Sequence, residues 1–173
     1  MENGYDSAKI KELFSEILKK EKVCMKHPIA ALIQVDKKDE DNLLRRYVRG
    51  WNGAPSGIEH DECLRKGYAS GEGMEKCPTV HAERRAISRA GKQGIAIYGG
   101  TIYLSEWFPC ADCAKSIIEA GIRKLVTPDE FYQDKINHVL IAKLQNQPYN
   151  FEMAEKLIRQ SGIEMIVDEA IRA

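Results

Sequence analysis

Two short motifs in this chain contain residue types that bind metal ions and move protons. His81 and Glu83 place an imidazole and a carboxylate two residues apart, and Cys110 and Cys113 form a Cys-x-x-Cys pair. A Cys-x-x-Cys pair by itself is typical of a redox site or of half a structural zinc site. A His-x-Glu pair by itself is too common to be informative, so the two motifs carry meaning only together.

Each motif falls where a helix is predicted to begin, and this position suits a zinc site. One helical turn brings Cys110 and Cys113 to the same side, and a helix N-terminus favours the thiolates that bind zinc. His81 supplies a third ligand, and three protein ligands leave the fourth tetrahedral position to water, as in catalytic sites. Glu83 is then predicted to carry the proton between this water and the substrate.

The alternative interpretation of these motifs is a structural zinc site or a set of ordinary buried side chains. A closed structural site needs a fourth protein ligand. It also has no use for the carboxylate of Glu83, whereas a hydrolytic site needs a group that holds a proton. Glu83 therefore favours the catalytic interpretation over a zinc-stabilised binding module without activity.

The composition predicts one domain spanning residues 1–173. A chain of 173 residues is long enough to bury a core without disulfides, and none of its apolar runs approaches the length that spans a bilayer. The N-terminus lacks the basic-then-apolar pattern of a signal peptide, so we expect a cytoplasmic protein with reduced cysteines. The 26 basic residues equal the 26 acidic ones, which argues against a strong overall field for binding polyanions but leaves a local basic patch open. We expect no membrane partner and no nucleic-acid partner.

Helices and strands alternate in the predicted element order. Helical periodicity follows Asp6, a predicted N-cap, and apolar runs over residues 29–35 and 43–49 predict a hairpin around a charged turn at residues 36–41. Further helices are predicted from His81, from Pro109, over residues 129–144 and over residues 151–160, and further strands over residues 101–104, 125–126 and 163–167. This order predicts a mixed sheet with helices on both faces.

The segment from residue 51 to residue 79 differs from the rest of the chain. It is rich in glycine and has little apolar periodicity. An irregular segment of this length is uncommon in a compact domain unless it is functional or held by other interactions. His60, Cys63 and Cys77 lie within it.

At these motifs the chain resembles the cytidine and deoxycytidylate deaminases, and among them the deoxycytidylate (dCMP) deaminases most. The resemblance covers roughly residues 24–130, and its two metal-site motifs match the zinc deaminase signature. It rests on GWNGAPSG at 50–57, HAE at 81–83, PCADCAK at 109–115 and AGI at 120–122. It implies a three-layer α/β/α sandwich with a mixed five-stranded sheet, and a hydrolase that converts dCMP to dUMP and ammonia.

The resemblance also implies individual roles and partners. His81, Cys110 and Cys113 would hold the catalytic zinc, and Glu83 would be the catalytic residue. Asn52 would hydrogen-bond the deoxyribose, and Ala82 and Arg85 would also belong to the substrate site. Family members are usually oligomers, often hexamers, and several respond to dCTP and dTTP, so the resemblance implies a homo-oligomer under nucleotide control.

Some similar dCMP deaminases bind a second, structural zinc. One of its ligands is a cysteine at the position of Cys24, and others lie in the loop before the HAE motif. Cys24, His60, Cys63 and Cys77 would complete a closed Cys3His site that ties the loop to the end of the first helix. The alternative is three unrelated thiols and a surface histidine.

Three departures from the family pattern concern the substrate. A basic residue common before the first buried strand is replaced by His27-Pro28, an asparagine after the catalytic Glu is replaced by Arg85, and the connection at residues 105–109 is one residue longer. Arg85 lies about 200° around the helix from Glu83, so we expect it to point away from its own pocket and towards a neighbouring subunit. The candidates for binding a substrate phosphate are Lys26, Arg46, Arg49, Arg84 and Arg85, although a solvated helix face is the alternative role for Arg84.

The substrate is left open at this point. A different cytosine nucleoside or nucleotide, a modified pyrimidine or a tRNA would suit the same zinc chemistry. The C-terminal segment mixes Glu152, Glu155 and Glu164 with Lys156 and Arg159 and offers no basic stripe, which weighs against tRNA.

Overall fold

The elements follow the predicted alternation of helices and strands. The computed structural model describes residues 5–35, 47–68, 72–128 and 150–173. In chain order the elements are α1 (Ser7–Lys20), β1 (Ala30–Gln34), β2 (Tyr47–Trp51), α2 (Ala82–Lys92), β3 (Thr101–Leu104), α3 (Ala111–Glu119), β4 (Lys124–Thr127), α4 (Phe151–Ser161) and β5 (Glu164–Val167). The predicted turn at 36–41, the start of the second strand at 43–46 and the predicted helix at 129–144 lie outside the described residues.

The strands form one mixed sheet in the order β2-β1-β3-β4-β5. Strand β1 is antiparallel to both β2 and β3, and β3, β4 and β5 run parallel. A parallel pair needs a crossover connection, and α3 lies in the connection between β3 and β4. The predicted hairpin and the predicted mixed sheet are therefore confirmed.

Helices cover both faces of this sheet. On one face, α1 buries Ile10, Phe14 and Ile17 against alternate strand residues such as Leu32 and Tyr103. On the other face, the alternate residues pack against α2, α3 and α4; the shared core there includes Ala31, Ile33, Ile102, Leu125, Ala86, Ile117 and Ile158. The arrangement is the predicted three-layer α/β/α sandwich. The predicted N-cap of α1 is confirmed, since the Asp6 side chain accepts a hydrogen bond from the Lys9 amide.

Helix α2 lies unusually close to β2, and Gly50 allows this approach. A Cβ atom at position 50 would lie 2.2 Å from the Ala82 carbonyl oxygen and 2.6 Å from the Ala86 nitrogen. Only a residue without a side chain can occupy such a position. The first turn of α2 is thereby fixed directly against the sheet.

The loop from residue 52 to residue 80 is closed at its base. Gly53 and Val80 exchange two backbone hydrogen bonds, of 3.2 and 2.9 Å. Between these residues the described chain is irregular apart from one 3-10 turn at Met74–Lys76, as predicted from its composition. None of the helices in the described ranges is long and apolar enough to cross a membrane.

Candidate active site

The two metal-binding motifs meet where α2 and α3 begin. His81 is the N-cap residue of α2, and Cys110 is the N-cap residue of α3. The Nδ1 atom of His81 lies 3.5 Å from the Cys110 sulfur and 3.3 Å from the Cys113 sulfur. Across the described part of the chain, these three side chains form the one group of three or more His, Cys, Asp or Glu residues that could hold a metal ion.

The spacing of these atoms fits a zinc ion. Sulfur and nitrogen ligands lie about 2.3 and 2.0 Å from tetrahedral zinc, which places them about 3.5 Å apart. The observed nitrogen–sulfur separations of 3.3 and 3.5 Å agree with this value to within a few tenths of an ångström. His81, Cys110 and Cys113 could therefore hold a zinc ion with little rearrangement.

The two thiols differ in their protonation. A hydrogen bond with Cys113 lowers the pKa of Cys110 to about 4, and His81 acts in the same direction. The same hydrogen bond, together with burial, raises the pKa of Cys113. The hydrogen bond to Cys110 also raises the pKa of His81. The pair therefore shares one negative charge at neutral pH, and a bound cation favours loss of the second proton because zinc binds thiolates.

Glu83 lies in the first turn of α2 beside the three potential ligands. It is only 6% exposed and lines the same pocket as His81 and Cys110. Burial raises the pKa of its carboxyl group above the usual value, and this effect is opposed by positive charge on His81. A carboxyl group whose pKa is raised towards neutrality can both accept and return a proton.

An open pocket lies in front of these residues. One wall is the start of α2 and α3, a second is aromatic, and the third comes from the segments around residues 24–29 and 65–79. The aromatic wall consists of Trp107, Phe108 and Phe151.

Asn52 and Ala82, both predicted substrate residues, line this pocket. The Asn52 side chain accepts a hydrogen bond of 2.8 Å from the Ile29 amide and donates one to the His27 carbonyl. An amide nitrogen carries two hydrogens, so Asn52 can fix this segment and still donate to a ligand. Ala82 is the first residue of α2, where a backbone N–H has no acceptor within the helix.

Arg85 is placed differently from the other predicted substrate residues. It is buried, and its guanidinium donates hydrogen bonds to the carbonyls of Trp51, Gly53 and Ala54 at 2.6–2.7 Å. It is not among the described residues that line the pocket. This placement agrees with the prediction that the Arg85 side chain points away from its own pocket. The side chain contacts the base of the loop in the same chain.

The remaining phosphate candidates are scattered. Lys26 donates a hydrogen bond to the Tyr68 carbonyl, and Arg49 pairs with Glu16 at 3.1 Å. Arg84 is exposed, in keeping with a solvated helix face. Arg46 lies outside the described residues.

The four residues predicted for a second zinc are not gathered into one site. Among the described residues, no three of Cys24, His60, Cys63 and Cys77 bring their potential ligand atoms as close together as His81, Cys110 and Cys113 do. Cys24 and Cys77 nevertheless line the same pocket, and the Cys77 sulfur lies 2.9 Å from the Thr79 hydroxyl.

The connection at residues 105–109 contains a strained residue. Trp107 has a φ of +59°, a left-handed conformation that is unfavourable for a bulky side chain. The Thr127 hydroxyl donates to its carbonyl at 3.0 Å, and the His27 ring lies 5.1 Å from the Trp107 ring. This connection thus places the Trp107 ring on the pocket wall.

Sequence reasoning missed two features of this pocket, Arg65 and Trp107. Arg65 lies in an aperiodic loop, and no motif marks it. The unusual length of the 105–109 connection was a signal for Trp107, but the local conformation that turns its ring into the pocket is visible only in three dimensions.

The fold and the potential ligands together define the class of zinc-dependent deaminases, which are hydrolases. A protein-family model described as "Cytidine and deoxycytidylate deaminase zinc-binding region" matches residues 6–128 of this chain. Because that match covers most of the chain, this protein belongs to the cytidine and deoxycytidylate deaminase family. The resemblance inferred from the motifs is confirmed.

Individual relatives agree with this assignment. The chain is 29% identical to ComE operon protein 2 of Bacillus subtilis (strain 168), over 89% of this chain and 71% of that protein. It is 36% identical to the deoxycytidylate deaminase of Pongo abelii over 49% of this chain, and the match spans only 47% of that relative.

A solved structure shows the same fold. The dCMP deaminase of cyanophage S-TIM5, in complex with dCMP and dUMP, superposes with a TM-score of 0.60 at 22% identity. The superposition covers 93% of this chain and 94% of the phage chain. At this identity the similarity concerns the fold alone.

Proposed function

We propose that this protein hydrolyses the 4-amino group of dCMP and releases dUMP and ammonia. One observation carries the proposal: a buried carboxyl group, Glu83, lines the same pocket as a three-residue zinc-ligand set. A structural zinc site has no need of such a group. A site that replaces an amine by water needs one, because protons must move to the ring and to the leaving amine.

The chain's own residues take distinct roles in this proposal. His81, Cys110 and Cys113 hold zinc, which when bound supplies Lewis-acid activation of a water molecule. Glu83 would take one proton from the attacking water to the pyrimidine ring nitrogen and then carry the second, from the newly added hydroxyl group, to the departing amine, so that water supplies both protons. The unpaired amide of Ala82 binds the pyrimidine carbonyl, and the second hydrogen of the Asn52 amide binds the sugar hydroxyl.

The proposed substrate is supported by relatives of known name. Deoxycytidylate deaminases are among the matching sequences, and a dCMP deaminase shares the fold. The relative ComE operon protein 2 has a name that does not state a substrate, so another cytosine nucleoside or nucleotide is the second candidate. The balanced charge of the chain argues against tRNA.

A panel of substrates tests the proposal. Ammonia release is measured from dCMP, deoxycytidine, CMP, cytidine and dCTP at equal concentration with the zinc-loaded enzyme. We expect dCMP to have the highest kcat/KM. Faster turnover of deoxycytidine or cytidine would replace dCMP by the free nucleoside, and no turnover of any of the five would overturn the proposed substrate class.

We also propose a second, structural zinc on Cys24, His60, Cys63 and Cys77. Its support is that Cys24 and Cys77 line the same pocket, and that Cys77 belongs to the loop that also carries His60 and Cys63. Metal analysis of the purified protein should give two zinc ions per chain, and Cys63→Ser should reduce this to one. A single zinc that is unchanged by Cys63→Ser would exclude the second site and leave the first.

Homo-oligomeric assembly, control by dCTP and dTTP, and a cytoplasmic location complete the proposed function. Assembly and nucleotide control are supported by the family resemblance, and the cytoplasmic location stays a prediction from the sequence.

A further inference from the structure

The aromatic wall of the pocket contains a residue whose backbone must be held in place. Trp107 lines the pocket, and its ring lies 5.1 Å from the ring of His27, another lining residue. Its φ is +59°. A bulky residue keeps this left-handed conformation only where its surroundings impose it, because the conformation costs free energy. The interactions around Trp107 therefore determine where its ring stands relative to a ligand.

Trp107 is restrained before, at and after its own position. After it, Phe108 is buried in the core between the sheet and the helices. At Trp107 itself, the hydroxyl of the buried Thr127 donates a hydrogen bond of 3.0 Å to the carbonyl oxygen. Before it, the Glu106 carboxylate forms an ion pair of 2.7 Å with Arg172. This ion pair is partly exposed, so it can be removed without opening a cavity in the core.

The Arg172 guanidinium makes two contacts on this side of the pocket. Its Nη1 donates to the Glu106 carboxylate at 2.7 Å, and its Nη2 donates to the Pro128 carbonyl at 3.3 Å. Pro128 directly follows β4, whose last residue is Thr127. The guanidinium thus connects the residue before Trp107 with the residue after the threonine that binds the Trp107 carbonyl.

The segment after β5 that carries this guanidinium is itself anchored. Ile171 is fully buried in the core beneath α1. The Asp168 amide donates a hydrogen bond of 3.0 Å to the Thr127 carbonyl. The Asp168 carboxylate accepts hydrogen bonds of 2.9 and 2.7 Å from the hydroxyls of Tyr5 and Ser7. The guanidinium therefore reaches the pocket wall from a fixed base.

We propose that Arg172 is a positioning residue for the substrate, because through Glu106 it holds the Trp107 ring against the bound nucleotide. Arg172 itself is not among the described residues that line the pocket. Aromatic faces pack well against flat rings, and a contact made equally before and during the reaction lowers KM without changing kcat. This inference rests on the proposed deaminase function and deepens it, since it assigns part of the nucleotide affinity to a residue outside the pocket.

Steady-state kinetics of the zinc-loaded enzyme test this role. Arg172→Ala should raise the KM for dCMP by about 3- to 10-fold, as expected for a partly exposed ion pair with an added hydrogen bond, while kcat stays within about twofold. Arg172→Lys keeps the charge and should restore most of the affinity. Lys124→Ala is the control. It breaks a partly exposed ion pair of 3.2 Å with Glu164 at the start of β4, and it should leave KM unchanged.

Tryptophan fluorescence reports the surroundings of the ring directly. The chain has two tryptophans, Trp51 and Trp107, so a Trp51→Phe parent retains Trp107 alone. In this parent, Arg172→Ala should move the emission maximum to longer wavelength, because a released ring is more exposed to water. It should also weaken the change in emission when dUMP is added. Lys124→Ala should do neither.

A substitution on the other side of the ion pair guards against a folding defect. Glu106→Gln keeps the size of the side chain and removes the charge that Arg172 binds, so it should raise KM to a similar degree. Because both variants break the same contact, Arg172→Ala should add little in the Glu106→Gln background. If Arg172→Ala does not fold, Glu106→Gln and its effect on the emission of Trp107 decide the question.

The possible outcomes separate this role from the proposed function. A wild-type enzyme that deaminates no cytosine substrate would contradict the function, and the emission of Trp107 would still show whether Arg172 holds the ring. With an active wild type, an unchanged KM in Arg172→Ala, or a loss confined to kcat, would overturn the inference and leave the function standing. An unchanged Trp107 emission would overturn the inference in either case.

Discussion

The two sides of the pocket are held in place by different forces. The zinc-ligand side consists of helix starts packed on the sheet, with Ala82, Cys113 and Ala114 fully buried among apolar side chains. On the loop side, the described residues between 54 and 79 are mostly exposed, and arginine side chains hold this segment by hydrogen bonds to its backbone carbonyls. Arg85 binds Gly53 and Ala54, and Arg65 binds Glu72.

This difference implies that the zinc-ligand side of the pocket carries out the reaction and the loop side selects the substrate. Helix starts fixed by apolar packing keep the proton-transfer group and the zinc ligands at constant distances, as catalysis requires. A loop with few buried apolar contacts opens at a lower free energy than the core. We therefore expect substitutions on the zinc-ligand side to affect turnover of every substrate, and substitutions on the loop side to change which substrate is preferred.

The largest expected effect is the loss of turnover when the proton carrier is removed. Glu83→Ala should lower kcat by about 10²- to 10⁴-fold, the usual contribution of general acid–base catalysis, while zinc content stays unchanged because His81 and the cysteines remain. Ammonia release and metal analysis check the two halves of this prediction. Glu119→Ala, at an exposed position in α3, is the control; retention of more than a tenth of wild-type activity by Glu83→Ala would sink its assigned role.

A smaller effect is expected at the base of the loop. Arg85→Gln removes most of the three hydrogen bonds to Trp51, Gly53 and Ala54 and leaves buried carbonyls without donors. The free energy of unfolding should fall by about 3 kcal/mol, and activity should fall to a similar degree on dCMP and deoxycytidine. Urea unfolding and paired kinetics measure both. A loss confined to dCMP would instead support the sequence-based prediction that Arg85 belongs to the substrate site.

The smallest expected effect is a pH-dependent gain in stability. Since burial raises the pKa of Glu83 in the folded state, its protonated form favours folding, and stability is lost as pH rises from the unfolded value, about 4.3, through the folded one. Glu83→Gln removes this loss. In metal-free protein the variant should match wild type near pH 4 and exceed it at pH 8, with about 3–6 °C in Tm for each pKa unit.

A matched substitution makes the pH experiment specific. Glu152→Gln changes an exposed glutamate in the first turn of α4 and should give no gain that grows with pH. A constant difference between Glu83→Gln and wild type from pH 4 to pH 8 would show that packing, and not titration, sets the stability of the variant.

The zinc-ligand side was predictable from the sequence, whereas most of the loop side was not. His81, Glu83, Cys110 and Cys113 lie in short motifs at the starts of helices, and local periodicity places those helices correctly. Each of these residues is positioned by the chain within a few residues of it, so local sequence contains the information.

Arg65 and Arg85 illustrate why the other side resisted prediction. Their acceptors are backbone carbonyls, and every residue has one, so the sequence does not mark which carbonyl will be bound. Arg85 was predicted for the substrate site because it follows Glu83 by only two residues in the sequence. The close approach of α2 to β2 instead directs its side chain to the Trp51 carbonyl. That approach depends on Gly50, a contact between distant parts of the chain.

The exchange of hydrogen bonds between Gly53 and Val80 has a consequence for how such enzymes diversify. These hydrogen bonds hold together the two ends of the segment between Gly53 and Val80, and this segment ends immediately before His81. Doubling the length of a closed loop costs only about 0.6 kcal/mol in chain entropy. Segments of other lengths and sequences can therefore be exchanged at this junction, in evolution or by design, while the geometry of the zinc ligands is inherited unchanged.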